Sequence, residues 1–187
     1  ARKFVDMAMK ADLALTGVIE GMAEQVGARM HGLKYRIKDF GSTTRKIIAN
    51  NVDDGVSYAR MAKEDLSDIN RYTYILKNES YVDDFYNIVR GIEAEGYELV
   101  KVKNYWDGDL YKGMNCNFKT LDGRKFEIQF NTQTQQYVKD KFSHKWYEEF
   151  REISTAPARK DQLEMLLTEK WKSVSAPPGG IDIPNFP

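Results

Sequence analysis

Apolar side chains recur at helical spacing through the first part of the chain, and this pattern predicts a helix over residues 3–30. Ser42 carries a side chain that caps helix N-termini, so a second helix is expected to begin there and to run to about residue 61. The same spacing returns later in the chain, where it predicts helices at 80–95, 133–153 and 158–174.

Strands are predicted where β-branched and aromatic residues concentrate, at 70–77, 97–105, 111–120 and 124–131. The Asp122-Gly123 pair lies between the last two segments and is typical of a β-hairpin turn. Residues 33–38 alternate in character, which predicts a short strand or an extended segment. One helix crosses over before a strand meander, so we expect an α/β (α+β) fold with a mixed, mostly antiparallel sheet of about five strands, flanked by helices.

The chain is long enough for one domain, which we place at residues 1–174, with a core at about 30–152 and helical flanks on both sides. Residues 175–187 hold four of the five prolines and are expected to form a loop or extended tail. The first residue is Ala, which we interpret as a fragment of a longer protein or a processed start.

Composition argues against several classes of function. The 28 Lys and Arg residues balance 28 Asp and Glu residues, and this net charge of 0 disfavours broad, sequence-independent binding of nucleic acid. The single cysteine, Cys116, excludes an internal disulfide and a cysteine-rich zinc site, and the two histidines disfavour a histidine metal cluster. The apolar runs are far shorter than the roughly 20 residues that span a bilayer, so no membrane partner is expected.

A group of basic residues surrounds Ser42 and consists of Lys34, Arg36, Lys38, Arg45 and Lys46. The N–H groups at the start of a helix attract anions, and Arg and Lys side chains beside them are suited to a polyphosphate. A solvated basic surface is the other interpretation of this cluster, because Lys and Arg are mostly exposed in proteins.

Glu127 lies in the middle of a predicted strand, on the opposite face from its apolar neighbours, and a carboxylate in a sheet needs a partner. A Mg²⁺ ion shared with Asp65 or Asp68, just before the strand at 70–77, would supply one. Mg²⁺ suits this role because it takes one or two carboxylates together with phosphate oxygens. An ion pair with a neighbouring Lys is the alternative.

Tyr111 begins a predicted strand two residues before Gly113, so its ring is available to stack on a nucleobase where the backbone permits close approach. Simple packing is the more frequent role of a tyrosine in a strand. His144, Tyr147 and Arg151 share one helical face, where they either line a pocket or serve a structural purpose.

Four segments, in order along the chain, resemble the synthetase domain of the RelA/SpoT family of alarmone (p)ppGpp synthetases, over roughly residues 30–152. They are the ATP-binding stretch from Tyr35 to Lys46, the metal motif from Asp65 to Arg71, the Tyr111-x-Gly113 segment followed by Phe126-Glu127-Ile128-Gln129-x-x-Thr132, and the element His144-x-x-Tyr147. This resemblance implies a nucleotidyltransferase-like RelA/SpoT synthetase fold.

The resemblance further implies that the β,γ-pyrophosphate of ATP is transferred to the 3′-hydroxyl of a purine nucleotide, with Mg²⁺ as cofactor. The residues it assigns to ATP are Arg36, Lys38, Ser42, Arg45, Lys46 and Arg71. Those it assigns to the acceptor are Tyr111, Lys103, Lys112, Asn115, Gln129 and His144. Asp68 and Glu127 are the implied catalytic residues and metal ligands, and Asp68 is favoured over Asp65 because it lies nearer to the strand.

The chain differs from the family pattern mainly in the acceptor pocket. Asn115 stands where the family has a His, and Asn131 stands where it has an Arg. Asp107 and Asp109 occupy positions at which the family carries basic residues. These differences weaken the expectation of guanine specificity, so adenosine nucleotides giving (p)ppApp are slightly favoured over guanosine nucleotides giving (p)ppGpp.

The sequence shows no pattern of the family's hydrolase or regulatory segments, and in this it resembles the toxin branch of the family, carried on secreted or phage-borne proteins. We therefore expect a growth-inhibiting bacterial toxin that acts in the cytoplasm of the producing or the target cell, with an immunity or antitoxin protein as partner. The alternatives are a housekeeping small alarmone synthetase, a toxin that transfers pyrophosphate to the 3′ end of tRNA, and a catalytically inactive binding domain.

Overall fold

The structure is a computed structural model and describes residues 2–54 and 67–186. Asp65, one of the two candidate metal ligands, lies outside these ranges. The predicted end of the second helix, near residue 61, lies outside them as well.

The α-helices of the described residues are α1 Arg2–Val26, α2 Phe40–Asp54, α3 Tyr81–Ala94, α4 Gln133–Val138, α5 His144–Arg151 and α6 Pro157–Lys172. The first helix ends at Val26, so the prediction of helix up to residue 30 is wrong for its last residues, which turn at Gly27 and enter a short strand. The predicted helix at 133–153 is interrupted, because a π-helical turn at Lys139–Ser143 separates α4 from α5. Within the described ranges, no helix is both long and apolar enough to cross a membrane.

The described residues form a five-stranded sheet with the strand order β1-β2-β5-β4-β3. Its strands are β1 Arg29–Met30, β2 Arg71–Leu76, β3 Glu98–Asn104, β4 Met114–Lys119 and β5 Lys125–Thr132. β2 and β5 pair in parallel, while the other neighbouring strands are antiparallel. The expected mixed, mostly antiparallel sheet with flanking helices is therefore confirmed.

Residues 33–38 are extended only at their end. Gly32 has a φ of 65°, and this left-handed conformation turns the chain into a short 3₁₀ turn at Leu33–Tyr35. After this turn, Ile37 pairs with Asn70 through an isolated β-bridge. The edge of the sheet next to β2 is formed by β1, which has two residues. The prediction of a strand is wrong for the first half of this segment.

Asp39, and not Ser42, caps α2. The helix begins at Phe40, and Asp39 Oδ1 accepts a hydrogen bond from the Ser42 backbone N–H at 2.9 Å. That hydrogen bond lowers the pKa of Asp39 below its ordinary value. The prediction of Ser42 as the N-cap is wrong, because an aspartate three residues earlier already satisfies the free N–H group.

Alternation along the strands gives the sheet one apolar and one polar face. The apolar face packs against α1 and α3: the Tyr74 hydroxyl donates to the Ile19 carbonyl at 2.7 Å, and the Phe85 ring meets Phe130 at 4.9 Å between centroids. The core of this face includes Tyr72, Tyr74, Cys116, Phe118, Phe126, Ile128 and Phe130. The polar face carries Arg71, Thr73, Asn115, Asn117, Glu127 and Gln129.

The proline-rich tail packs along the outer edge of β3. The backbone of Phe186 exchanges hydrogen bonds with that of Val102, at 3.0 and 3.1 Å. Asn104 Nδ2 donates to the carbonyls of Gly180 and Ile183, each at 2.8 Å, and the Ile183 side chain is buried. Residues 175–186 contain no helix, as expected for the tail, but they cover the sheet edge and contribute to the core.

Candidate active site

Backbone pairing brings the basic segment, residues 36–38, next to the predicted carboxylates. The Arg71 N–H donates to the Arg36 carbonyl at 2.7 Å, and on the other side of β2 the Glu127 N–H donates to the Asn70 carbonyl at 2.9 Å. The basic segment, the start of β2 and Glu127 therefore lie side by side at the beginning of the two parallel strands.

Arg36 is held by a carboxylate of α1. Its Nε and Nη2 donate to the two oxygens of Asp12 at 2.7 and 2.6 Å, and its Nη1 donates to the Leu33 carbonyl at 3.0 Å. This fork fixes the plane of the guanidinium and raises the pKa of Arg36. Sequence reasoning missed Asp12, although an acid among buried apolar positions of a helix, here Ala8 and Leu15, signals a specific partner.

The other candidates for phosphate binding surround the start of α2. Lys38 Nζ forms an ion pair with Asp68 Oδ2 at 2.7 Å, and both side chains are mostly buried. Arg45 Nη2 donates to Ser42 Oγ at 2.9 Å on the exposed side of the helix. Lys46 lies in α2, but its side chain is outside the described part of the chain. The Lys38–Asp68 pair joins a candidate phosphate ligand directly to a candidate metal ligand.

Glu127 is half-buried on the polar face of the sheet. Its Oε1 accepts a hydrogen bond from Gln129 Nε2 at 2.9 Å, and Arg71 is its register neighbour in β2. Burial raises the pKa of Glu127 and the negative charge of Asp68 raises it further, while Arg71 opposes both effects. A raised pKa suits a carboxylate that accepts a proton from a substrate hydroxyl.

Asp68 and Glu127 suit a divalent cation that is shared with substrate phosphates. The effect of Asp68 on the pKa of Glu127 is repulsion between two nearby carboxylates, and a cation between them would relieve it. Among the described residues, no group of three or more His, Cys, Asp or Glu side chains is placed to hold a metal ion. Mg²⁺ fits a smaller donor set, because it binds through one or two carboxylates and completes its shell with phosphates and water.

Tyr111 precedes β4 and borders the polar face. Its ring meets Trp171 and Tyr105 edge-on, with centroid distances of 5.6 and 5.5 Å, and its hydroxyl donates to Asn115 Oδ1 at 3.2 Å. Gly113 has a φ of 139°, and a Cβ there would lie 2.9 Å from the Tyr111 hydroxyl oxygen. A side chain at position 113 would therefore displace the ring.

The remaining acceptor candidates fall into two groups. The sheet brings three of them together as cross-strand neighbours, namely Lys103, Asn115 and Gln129. Lys112 Nζ donates to the carbonyl of Val174, just before the tail, at 2.9 Å. His144 is exposed and lies 3.8 Å from Glu148 on its own helix. The contacts described for Lys112 and His144 thus do not involve Tyr111 or another acceptor candidate.

Lys139 is a further cation at the polar face, which sequence reasoning missed. Its Nζ donates to Gln129 Oε1 at 2.7 Å and lies 5.8 Å from the centroid of the Tyr111 ring. Burial lowers the pKa of Lys139 to about 8, and the positive charge of Arg71 contributes to the decrease. Regular helical spacing carries no signal for this residue, because the π-helical turn at Lys139–Ser143 shifts the helix face.

No family model matches the chain, and no curated protein matches its sequence. Solved structures share its fold. Small alarmone synthetase 2 from Bacillus subtilis is 18% identical, with a TM-score of 0.58, over 89% of this chain and 89% of that one. The type VI effector Tas1, solved in complex with its immunity protein, is 20% identical, with a TM-score of 0.57, over 92% and 96%.

A GTP pyrophosphokinase family protein from Streptococcus pneumoniae is 17% identical, with a TM-score of 0.57, over 90% of this chain and 84% of that one. The chain therefore has the fold of the small alarmone synthetases, as the resemblance of its motifs predicts.

Proposed function

We propose that the chain is an ATP-dependent nucleotide pyrophosphokinase, which transfers the β,γ-pyrophosphate of ATP to the 3′-hydroxyl of a purine nucleotide. The observation that carries the proposal is Glu127, a half-buried carboxylate of raised pKa beside Asp68 and the basic segment. The bond between the β-phosphorus and the oxygen of the α-phosphate breaks, and AMP leaves with that oxygen. The 3′-oxygen bonds the β-phosphorus as its proton passes to Glu127.

The donor half of the proposed site lies along the basic segment and the start of α2. Its candidate residues are Arg36, Lys38, Ser42, Arg45, Lys46 and Arg71. Transfer of this kind depends on positioning and on neutralising phosphate charge, more than on a covalent step with the protein. Mg²⁺ bound by Asp68 and Glu127 would supply part of that neutralisation. Asp12 supports this arrangement by fixing the Arg36 guanidinium.

The acceptor half of the proposed site lies on the polar face beside Tyr111, whose ring is proposed to stack on the purine. Asn115 and Gln129 line this part of the sheet. The amides of Asn115 and Asn131 replace charged or titratable side chains of the family pattern, and for this reason we place adenosine nucleotides slightly ahead of guanosine nucleotides. A clear preference for GDP over ADP as acceptor would refute that choice.

We also infer that the activity serves as a growth-inhibiting toxin, neutralised by an immunity protein and acting in the bacterial cytoplasm. This is supported by the fold shared with the effector Tas1, which was solved with its immunity protein. Unregulated transfer of pyrophosphate from ATP would deplete the ATP pool. Induced expression of the chain in Escherichia coli should arrest growth, and the arrest should disappear when the transfer activity is removed by mutation.

The direct test is an incubation with Mg²⁺ and γ-³²P-ATP together with AMP, ADP, ATP, GDP, GTP or tRNA as separate acceptors. We expect one labelled product carrying a 3′-pyrophosphate, formed in equal amount with AMP and lost when EDTA removes the metal. A labelled tRNA in place of a labelled nucleotide would favour the tRNA alternative. ATP left intact with every acceptor would contradict the enzyme assignment.

Glu127→Gln should lower turnover at least about 100-fold, because the amide cannot accept the proton of the 3′-hydroxyl. Its carbonyl oxygen can still accept the hydrogen bond from Gln129, so the fold should persist. Product formation and circular dichroism are measured in parallel. The matched control is Glu93→Gln on the exposed surface of α3, which should retain full activity. Wild-type activity in the Glu127 variant would remove the basis of the proposal.

A further inference from the structure

Lys139 borders the polar face of the sheet, beside the residues proposed to bind the acceptor nucleotide. It is the first residue of the π-helical turn after α4, and its half-buried ammonium reaches Gln129 and the face of Tyr111. π-Helical turns within α-helices are frequent at functional sites, since the extra residue redirects the side chains that follow. The turn places a positive charge beside Gln129 and Tyr111, two of the residues expected to meet the acceptor.

The surroundings of Lys139 leave its charge incompletely compensated. The hydrogen-bond acceptor of its ammonium is the neutral amide oxygen of Gln129, at 2.7 Å, and the positive charge of Arg71 is close enough to lower its pKa. The negative charges of Glu127 and Asp140 raise the pKa of Lys139, but burial lowers it by more. A half-buried ammonium in such a position is stabilised when an anion binds next to it.

Two other cations expected at the acceptor, Lys112 and His144, have partners of their own in the structure. Lys112 donates to the Val174 carbonyl at 2.9 Å, and His144 faces Glu148 at 3.8 Å. Asn131, at the position of the family's arginine, donates to Gln136 Oε1 at 2.6 Å. Among the described acceptor candidates, Lys103 keeps its place on the sheet, and Lys139 adds a cation 5.8 Å from the centroid of the Tyr111 ring.

We propose that Lys139 binds a phosphate group of the acceptor nucleotide whose base stacks on Tyr111. The ammonium lies on one side of the Tyr111 ring, 5.8 Å from its centroid, so a base stacked on the other side would bring its 5′-phosphates within reach of the flexible lysine side chain. Gln129 then positions two groups at once, because its Oε1 holds Lys139 and its Nε2 holds Glu127. This inference rests on the proposed function, which provides the acceptor nucleotide.

The inference is tested by binding, without turnover. The donor site is first filled with α,β-methylene-ATP and Mg²⁺, whose methylene bridge blocks transfer, and the chain is then titrated calorimetrically with ADP, GDP, adenosine and guanosine. Lys139→Met should weaken binding of the preferred diphosphate about tenfold and leave binding of the matching nucleoside unchanged. Lys139→Arg should restore most of the loss, and Lys141→Met, an exposed lysine two residues on, should behave as wild type.

A second measurement uses the wild-type chain alone and does not depend on the folding of a variant. Lysines are acylated with and without the preferred diphosphate, and the modified residues are counted by mass spectrometry. Lys139 should be protected by the diphosphate while Lys141 should not. Unchanged labelling of Lys139, an equal loss of nucleoside and diphosphate affinity in Lys139→Met, or a wild-type chain that binds both equally would each overturn the inference. Failure of the proposed function is seen separately, as the absence of a transfer product.

Discussion

At the scale of single residues, two charge pairs orient the cations of the basic segment. Arg36 is bound by Asp12 from α1, and Lys38 is bound by Asp68 from the start of β2. The carboxylate of Asp12 also accepts a hydrogen bond from the Tyr72 hydroxyl at 3.3 Å. Since Asp12 is buried, the loss of its charge would leave Arg36 without this charged partner in a partly enclosed position.

We expect Asp12→Asn to lower the free energy of unfolding by about 2 kcal/mol, the typical worth of a hydrogen bond to a charged group. If Arg36 binds ATP phosphates, the freed guanidinium should also raise the KM for ATP without changing the KM for the acceptor. Urea unfolding and steady-state kinetics measure the two effects. Asp6→Asn, at an exposed position of the same helix, is the control, and an equal loss of stability in both variants would contradict this role of Asp12.

At the scale of elements, the start of α2 depends on Asp39. Its carboxylate accepts the Ser42 N–H, and its carbonyl accepts the Thr43 N–H at 3.0 Å. The carboxylate also lies close to the positive end of the helix dipole. This cap fixes the helix that is proposed to receive the donor phosphates.

Asp39→Ala should destabilise the chain by about 1 kcal/mol, because the first turn of α2 loses its cap. The folded state lowers the pKa of Asp39, so the stabilisation is present above the unfolded pKa, about 3.9, and is lost as the pH falls through the lower folded value. Hydrogen exchange of the Ser42 and Thr43 amides should therefore accelerate in the variant at neutral pH. Unchanged exchange of these two amides would show that the cap contributes nothing.

At the scale of the whole molecule, the tail closes the sheet. β3 is the last strand of the sheet, and the unpaired edge of such a strand tends to pair with other chains. The tail covers this edge by pairing Phe186 with Val102 and by accepting hydrogen bonds from Asn104 of β3, and it buries Ile183 against the core. Lys112, next to Tyr111, donates to the carbonyl of Val174, the residue that directly precedes the tail.

Deletion of residues 175–187 should lower the melting temperature by roughly 5–10 °C, since the buried Ile183 and the hydrogen bonds of Asn104 are lost together. The exposed edge of β3 should also cause association that increases with protein concentration, which light scattering detects. A shorter deletion of residues 186–187, which removes the pairing with Val102, should have a smaller effect. A deletion variant with the wild-type melting temperature would show that the tail is dispensable for the fold.

Local patterns accounted for most of the architecture. The Asp122-Gly123 pair does join β4 to β5, where Gly123 adopts a φ of 83°. The alternation around Glu127 correctly assigned this residue and Gln129 to the polar face. The missed details, the turn after Gly32 and the π-helical turn at Lys139–Ser143, are local departures from a regular period that hydrophobic spacing does not encode.

Four of the five strands of the described sheet, most helices, the polar face and the candidate chemistry of Glu127 were predictable from local pattern, because periodicity and residue type act over a few neighbours. Which charges meet depends on tertiary folding. Asp12 reaches Arg36 across 24 positions, and Lys112 reaches Val174 across 62, so these contacts depend on how distant elements dock. Lys139 enters the site for the same reason, since its partners lie in different segments, Gln129 in β5 and Tyr111 before β4. Burial and electrostatic interaction act through space, and folding therefore completes the site that the local pattern begins.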